Sequence, residues 1–524
     1  MASYTCYMRS IKENTLIFET SQTTDRQSIF AELSKKYQIV KDPLLKSRII
    51  YLDTFDWRLY NENLLLIKEQ ERFILKKKNT LAEICSLSAP RAQSPAFWWD
   101  FEQSSLKNAL RSVLDLRALI QIVSIQKTIQ PYRLLNKDEK TVIRANFELV
   151  RPAGRASHGL TTMQLLLIMP LRGYENELKH IEEPLKTAGL EQSKSDYFDL
   201  LVNKSGRIPS DYSSKLNINL QPHISSKDAL TVILKNLLST IRKNEDGIKQ
   251  DIDTEFLHDF RVAVRRTRSA LSLIKGVFNK QALSSHKTGI SRLGKATNAL
   301  RDLDVYLLKQ EEYKDLVPQD LHPGLELIFE KISEQRKTEL AKLKRFLNSK
   351  AYKNIVAEWE SFLDTYEDNS PESENAGTDI LVLAKRIINK KYRQIIKTGR
   401  AIDGSTPDEQ LHRLRIECKK LRYMLEFFSS LFPKNEIGLI IKNLKKLQDN
   451  LGDFNDLCVQ QQSLKEFAEK FDSDDKNITI SIGGLIAVLY QKQNETRNKF
   501  TSTFKRFTAD ENTRLFNKLF SPRK

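Results

Sequence analysis

Hydrophobic residues follow two different patterns along this chain of 524 residues. In residues 1–200, short apolar runs typical of β-strands are separated by amphipathic helical stretches. From Ser225 onward, nearly every stretch shows apolar positions three and four residues apart, which is the helical period. The pattern therefore predicts an α+β N-terminal domain followed by an all-α domain. The strand-like runs are 48–52, 64–67, 73–77, 141–149 and 163–169, and the helical stretches between them are 26–37, 106–120 and 174–188.

A polar segment separates the two regions. Residues 203–222 are rich in Ser, Asn, Gly and Pro, a composition typical of a linker. At roughly 100–200 residues per domain, the chain is long enough for several domains. We therefore predict an N-terminal domain at 1–202, a linker at 203–222 and a helical domain at 223–524.

The helical region repeats itself at an offset of 154 residues, the distance from His258 to His412. The stretch HDFRVAVRRTRSALSLI begins at the first histidine, and HRLRIECKKLRYMLEFF begins at the second. Two further landmarks keep the same offset, because Arg292 pairs with Lys446 and Asp302 with Asp456. The sequence therefore predicts a duplicated helical unit, with one copy at about 225–365 and the other at about 379–510.

Each copy carries a stripe of basic side chains on one helix. With residues placed about 100° apart, the basic residues fall on one side and the apolar residues on the other. Two further basic residues, Arg266 and Lys420, lie on the opposite flank of the stripes. The stripes consist of His258, Arg261, Arg265 and Arg268 in the first copy and His412, Arg415, Lys419 and Arg422 in the second.

The first stripe does not neutralise its own charge. The residues four positions after Arg261 and Arg265 are Arg265 and Ser269, so no acidic partner relieves the repulsion along the helix. Guanidinium groups match phosphate oxygens in bidentate pairs, and the net charge of +18 favours anionic partners. The alternative is a solvated basic face, or one paired with Asp302 and Asp456. The two stripe histidines either contact phosphate or form hydrogen bonds at the helix starts.

These basic helices resemble the CHAD family, the conserved-histidine α-helical domain. The resemblance rests on segments 257–271, 299–307, 411–428 and 447–457. It implies two four-helix bundles related by a pseudo-twofold, with a basic central surface that binds inorganic polyphosphate. Together with the repeat pair at 292 and 446, the expected polyphosphate-binding residues are His258, Arg261, Arg265, Arg266, Arg268, Arg292, His412, Arg415, Lys419, Lys420, Arg422 and Lys446.

The N-terminal half resembles a degenerate CYTH domain, the triphosphate tunnel fold. The resemblance rests on YLDTFDWRLYNENLLLI at 51–67 and SKSDYFDLL at 193–201, and it implies an antiparallel β tunnel. The family's acidic opening strand is reduced here to Glu19, and the run 163–169 contains no acid. A triphosphatase needs several carboxylates to hold divalent cations. Four basic residues, which either bind phosphate in the tunnel or form a solvated strand face, are Lys68, Arg72, Lys76 and Lys78.

The leading hypothesis is non-catalytic binding of inorganic polyphosphate in the cytoplasm, with association to polyphosphate granules. One alternative is a metal-dependent triphosphatase or polyphosphate-processing enzyme. Another is a nucleic-acid-binding protein, which would place stacking aromatic residues among the basic ones, whereas only Tyr423 lies near the stripes. The four cysteines form no C-x-x-C pair, and no apolar run approaches the ~20 residues of a membrane span. We expect no metal, cofactor or membrane partner.

Overall fold

The computed structural model of the chain describes residues 15–20, 26–88, 96–154, 159–216, 218–366, 373–470 and 476–521. The chain divides into two compact units, Met1–Ser214 and Lys215–Lys524. The division falls inside the segment 203–222. The first part of this segment packs on the N-terminal unit, where Trp57 Nε1 donates a hydrogen bond to Asp211 Oδ1 (3.0 Å). The adjacent Tyr212 ring lies 4.5 Å from that of Phe55.

The N-terminal unit is built on a nine-stranded sheet whose paired strands are antiparallel. The strand order is β1-β9-β8-β7-β3-β4-β5-β6, and β2 pairs with β7. In the described part of the chain, the end strands β1 and β6 do not pair with each other, so closure into a tunnel stays a prediction. The strands are β1 (Leu16–Thr20), β2 (Gln38–Lys41), β3 (Leu45–Asp53), β4 (Leu64–Glu69), β5 (Arg72–Lys77), β6 (Glu83–Ser88), β7 (Ile120–Leu135), β8 (Thr141–Pro152) and β9 (Met163–Pro170).

Short helices cover the sheet. One hydrophobic cluster joins β1, β8 and β9 to α1 and α4, and another joins the sheet to α5 through Phe198 and Leu201. A third cluster packs α3 against β4 and β5. The helices of this unit are α1 (Arg26–Ser34), α2 (Arg58–Asn61), α3 (Ser105–Leu114), α4 (Glu177–Thr187) and α5 (Tyr197–Lys204). The predicted α+β character of the N-terminal region is confirmed.

The second unit is all-helical, as the periodicity predicts. No described helix is both long enough and apolar enough to cross a membrane. The helices are α6 (Ser226–Gln250), α7 (Thr254–Leu273), α8 (Lys280–Ala296), α9 (Asn298–Leu308), α10 (Gln310–Asp315), α11 (His322–Asn348), α12 (Lys350–Thr365), α13 (Ile380–Arg400), α14 (Asp408–Phe427), α15 (Lys434–Lys470), α16 (Lys476–Asn498), α17 (Phe500–Phe507) and α18 (Asp510–Phe520).

Helices of the two repeat copies begin at equivalent residues. The first residues of α6, α7, α8 and α11 are each followed, 154 positions later, by the first residues of α13, α14, α15 and α16. The copies differ at Thr297, where the helix of the first copy is broken into α8 and α9. In the second copy, the equivalent Leu451 lies inside the unbroken helix α15, which is 37 residues long. The duplication seen in the sequence is therefore a duplication of structure.

Reciprocal hydrogen bonds join the two copies at the starts of α6 and α13. The Ser226 amide donates to the Thr378 carbonyl (2.8 Å), and the Ile380 amide donates to the Ile224 carbonyl (3.1 Å). Each bond is the 154-residue counterpart of the other. Ser225 and Asp379, which precede these helices and cap their first turns, form an antiparallel bridge with each other. Each copy thus donates one backbone hydrogen bond to the other at equivalent residues.

Gly247 in α6 lies against the ring of Phe256, which is buried in α7. A Cβ at this glycine would overlap the ring. We expect Gly247→Ala to lower the free energy of unfolding by about 1–3 kcal/mol, because a packed ring must shift. Denaturant unfolding followed by the helical circular dichroism signal measures the change.

Gly438→Ala in α15 is the matched control for this substitution. Gly438 is exposed, and a Cβ there meets no described atom within 4 Å. Since alanine favours the helix over glycine, this variant should gain about 0.5–1 kcal/mol. Equal effects of the two substitutions would contradict the close packing of α6 on α7.

Candidate anion-binding cleft

A cleft of about 710 Å³ in the helical unit is lined by residues of α7, α8 and α14. Helices α7 and α14, which carry the two basic stripes, pack against each other. Six Lys or Arg residues line this basic cleft, and none of its described lining residues is Asp or Glu. The lining consists of Arg265, Arg268, Ser269, Leu271, Ser272, Lys287, Ile290, Ser291, His412, Arg415, Ile416, Lys419, Lys420 and Tyr423.

Equivalent residues of the two copies come together in the basic cleft. Arg265 of α7 and Lys419 of α14 occupy the same position of the repeat. The pKa of Lys419 is lowered to about 8, first by burial of its ammonium group and then by the positive charges of Arg415 and Arg265. The carboxylate of Asp456 opposes this shift without cancelling it. Positive charge therefore exceeds negative charge around Lys419, and a bound anion would relieve this excess.

Neighbouring polar groups position the other basic residues that α14 contributes. Arg415 Nη2 donates to Asp456 Oδ1 (3.0 Å), which is the pairing that the sequence analysis gave as an alternative for this stripe residue. His412 Nδ1 forms a hydrogen bond with Asn455 Oδ1. Lys420 Nζ donates to Glu417 Oε1 (2.6 Å) and, as an ammonium group with three donors, keeps others for a ligand.

Half of the sequence-predicted binding residues line the basic cleft, and the others lie elsewhere. Arg261 donates from Nη1 to Thr297 Oγ1 (2.9 Å) and Asn298 Oδ1 (2.8 Å), at the break between α8 and α9. Burial lowers the pKa of Arg261, and Arg265 and Arg301 lower it further. The other predicted residues outside the described lining are His258, Arg266, Arg292, Arg422 and Lys446.

These remaining residues have different surroundings. The Arg292 guanidinium lies 5.6 Å from the centroid of the Phe346 ring. Lys446 is exposed on α15, and His258 is partly buried near the start of α7. Arg266 and Arg422 both form ion pairs with Glu426, at 2.7 Å each. The stripes seen on the helical wheel therefore divide, in the structure, into residues that line the cleft and residues that lie outside it.

Several lining residues do not belong to the basic stripes seen in the sequence. Lys287 of α8 lies at the cleft, but its repeat equivalent is Ile441, so a comparison of the two copies passes over it. Tyr423 also lines the cleft, yet its side chain is only 8% exposed. Ser269, Ser272 and Ser291 offer hydroxyl groups whose position depends on how α7 and α8 pack.

The basic residues considered for the N-terminal sheet are engaged within that unit. Lys78 Nζ donates to Asp196 (2.5 Å) and Asp199 (3.1 Å), and Arg72 donates to Ser86 (2.7 Å). The ammonium of Lys68 lies 5.1 Å from the Phe73 ring centroid. Burial lowers the pKa of Lys76, while Glu69 acts in the opposite direction.

A buried ionic group lies inside the same sheet. Lys127 Nζ donates to both oxygens of Glu148 (3.1 Å each), and the Tyr197 hydroxyl donates to Glu148 Oε2 (2.7 Å). The lysine and the glutamate are at most 3% exposed. Among the described residues, no group of three or more His, Cys, Asp or Glu side chains has an arrangement suited to a metal ion.

Comparison with known proteins identifies the helical region. Residues 232–465 match the family model of the CHAD domain and constitute such a domain. The structure of the CHAD domain from the plant Ricinus communis is 24% identical, covers 55% of this chain and 94% of its own, and has a TM-score of 0.47. PptA from Streptomyces chartreusis is 14% identical, covers 54% of this chain and 100% of its own, and has a TM-score of 0.42.

The N-terminal region resembles a provisionally assigned adenylate cyclase from Vibrio parahaemolyticus. That structure is 12% identical, covers 36% of this chain and 95% of its own, and has a TM-score of 0.21. No curated protein matches the chain. The CYTH-like assignment of residues 1–202 stays an expectation drawn from the sequence motifs.

The lowered pKa of Lys419 predicts a pH dependence of stability. Its pKa is about 8 in the folded protein and ordinarily 10.5, so unfolding takes up a proton between these values. The unfolded state then binds more protons, and the contribution of Lys419 to stability rises as the pH increases from 8 towards 10.5. We expect Lys419→Met to stabilise the protein at pH 7 and to flatten this rise, as measured by denaturant unfolding at several pH values.

Lys446→Met is the control, because Lys446 is exposed and lies outside the basic cleft. Its stability should follow the wild-type pH profile. Identical profiles for wild type and Lys419→Met would show that Lys419 titrates as an ordinary surface lysine.

Proposed function

We propose that the CHAD domain of this chain binds inorganic polyphosphate through the basic cleft and does not change it chemically. The observation that carries the proposal is the convergence of Arg265, Arg415 and Lys419, three cations from equivalent helices, in a cleft without an acidic lining residue among those described. Repulsion at this convergence costs free energy in the unliganded protein, and a bound polyanion offsets that cost.

The chemistry of the lining residues suits a chain of phosphates. Arg265 and Arg268 reach the cleft from α7, while Arg415 reaches it from α14, so planar N–H donors face it from two sides. Such donors match pairs of phosphate oxygens. Lys287 and Lys420 add point charges. A volume of about 710 Å³ is within the range of pockets that hold one small ligand, so the cleft accommodates a short segment of a longer polymer.

The proposal includes the arrangement of the two copies. We place them as four-helix bundles related by a pseudo-twofold, with α7 and α14 beside the axis. Support comes from the reciprocal bonds Ser226–Thr378 and Ile380–Ile224 and from the common offset of the helix starts. Granule association follows from the same chemistry, because a polyphosphate granule presents many copies of the ligand.

The alternatives fit the described side chains less well. In the N-terminal unit Glu148 is engaged by Lys127 and Tyr197, whereas a metal-dependent triphosphatase requires carboxylates available to Mg²⁺. We therefore propose that this unit is an accessory domain. Nucleic-acid binding would use exposed aromatic faces for stacking, but the aromatic residue of the cleft, Tyr423, is only 8% exposed.

Removing two lining arginines should weaken polyphosphate binding strongly. We expect Arg265→Ala combined with Arg268→Ala to lower the affinity for long-chain polyphosphate by at least about 100-fold, because each lost charge-assisted hydrogen bond contributes about 1.5–3 kcal/mol. The measurement is a fluorescence competition titration at ~150 mM salt, with single-stranded RNA and duplex DNA as competitors, since polyanion affinities depend steeply on ionic strength.

Arg292→Ala combined with Lys446→Ala is the matched control. It also removes two positive charges, but from positions outside the cleft lining. Its affinity should stay within a few-fold of wild type. Equal losses in the two double variants, or equal affinity for all three polymers, would mean that the protein binds anions through its general charge.

The absence of catalysis is tested by incubating the protein with tripolyphosphate or long-chain polyphosphate and Mg²⁺. We expect free phosphate to stay at the level of the protein-free sample. If phosphate is released and the release is lost in Glu148→Gln, the protein is an enzyme whose active site lies in the N-terminal unit. Release that persists in this variant but disappears in the Arg265/Arg268 double variant would make the cleft itself catalytic.

A further inference from the structure

Glu426 lies between two basic residues of different repeat copies. Its Oε2 accepts a hydrogen bond from Arg266 Nη2 of α7, and its Oε1 accepts one from Arg422 Nε of its own helix, at 2.7 Å each. The side chains of Arg266 and Glu426 are only 12% and 15% exposed. A carboxylate thus occupies a sheltered position between two guanidinium groups, the kind of position that a phosphate group takes between arginines.

The repeat places these three residues in correspondence with three residues of the basic cleft. At the offset of 154, Arg266 corresponds to Lys420, Arg422 to Arg268 and Glu426 to Ser272. Lys420, Arg268 and Ser272 all line the basic cleft. Each set has one cation from each copy at corresponding positions, and the third residue is a serine in the set of the basic cleft, here called the open set, and a glutamate in the other. In the open set, Lys420 pairs with Glu417 of its own helix, and Arg268 has no acidic residue at the position that corresponds to Glu426.

We propose that Glu426 is a built-in counter-ion that closes the second half of a twofold anion-binding surface. The phosphate polymer is then held only on the side of Ser272. This inference rests on the proposed polyphosphate binding. It adds the residue that limits the number of phosphate groups held by the domain. Glu426 is thereby a specificity-determining residue, because it fixes how many phosphate groups the domain can hold.

The charges explain why one residue is sufficient. Arg266 and Arg422 share a single carboxylate, so a phosphate that approached them would have to displace Glu426 or be repelled by it. In the open set, the residue four positions after Arg268 is Ser272. At the corresponding place in α14, the residue four positions after Arg422 is Glu426. The Ser272 hydroxyl carries no charge and donates to the Ser269 carbonyl (3.0 Å), so it neither repels a phosphate group nor neutralises Arg268.

The first test introduces the counter-ion into the open set. Ser272 is exposed, so Ser272→Glu is compatible with folding, and the new carboxylate lies four residues after Arg268 and near Lys420. We expect at least a tenfold loss of affinity for long-chain polyphosphate. The control is Ser361→Glu, the same change in charge at an exposed position of α12, which should alter the affinity by no more than about twofold.

The second test removes the counter-ion. In Glu426→Ser, we expect the number of tripolyphosphate molecules bound per chain, measured by calorimetry, to rise from one to two. The dependence of long-chain affinity on salt should become steeper, by about one in log–log slope for each additional phosphate contact. Glu426→Gln keeps the shape and an acceptor without the charge, and serves where the serine variant is unstable.

The decisive variant combines both changes. Ser272→Glu with Glu426→Ser has the wild-type net charge and moves the open set to the other copy, so long-chain binding should return to within about threefold of wild type. If Glu426 were only a structural ion pair between α7 and α14, the combined variant would bind no better than Ser272→Glu, which would overturn the inference.

The outcomes for the two proposals are distinct. If wild type binds polyphosphate but Glu426→Ser shows neither a higher binding stoichiometry nor a steeper salt dependence, the role of Glu426 is refuted. The proposed function then stands. Wild type that does not bind, together with Glu426→Ser that does, overturns the proposed function and supports the counter-ion. Failure of both proteins to bind overturns both proposals.

Discussion

Like-charge repulsion where α7 packs against α14 is the constraint on which the functional surface depends. Both helices bury apolar residues opposite their basic stripes, among them Phe260, Leu414 and Cys418. Burying one large apolar side chain contributes about 1.5–3 kcal/mol, whereas a like-charge pair on a helix surface costs about 0.2–0.5 kcal/mol. Apolar packing therefore determines how α7 and α14 lie against each other, and it places the basic side chains close together despite their repulsion.

Duplication explains why these neighbours are so similar. A helix that carries a basic stripe meets its own copy, so Arg265 faces its counterpart Lys419 and each raises the electrostatic cost of the other. Contacts within the domain relieve this cost at two places. In one place, the break at Thr297 supplies acceptors to Arg261, and in another, Glu426 supplies a carboxylate to two arginines. In the basic cleft, Asp456 and Glu417 engage Arg415 and Lys420, whereas Arg265, Arg268 and Lys287 have no acidic residue beside them in the described lining.

Much of this organisation could be predicted from the sequence because helical period and repetition are local properties. The offset between His258 and His412 predicted helix starts that agree to the residue, and the strand-like runs lie within β3, β4, β5, β8 and β9. The central strand β7 was not predicted, because its glutamines and Pro131 interrupt the apolar alternation. It pairs with β2, β3 and β8, so neighbours from distant parts of the chain stabilise it.

The division of the basic stripe could not be predicted from a single helix. Arg261 and Arg265 belong to the same stripe, yet one bonds to Thr297 and Asn298 and the other lines the cleft. The difference arises from the place where the break between α8 and α9 meets α7. Lys287 was missed for the same reason, since only the packing of α8 beside α7 brings it to the site. A helical wheel shows on which side of its helix a side chain lies, but it does not show which other helix packs against that side.

The reciprocal bonds between Ser226 and Thr378 and between Ile380 and Ile224 have a consequence for synthesis of the protein. They join residues about 154 positions apart, so they form only after the start of the second copy has left the ribosome. The basic cleft requires residues up to Tyr423 as well. A nascent chain that ends before α14 displays a single basic helix, and the paired surface appears only when the second copy docks. The complete charge cluster is therefore absent during most of translation.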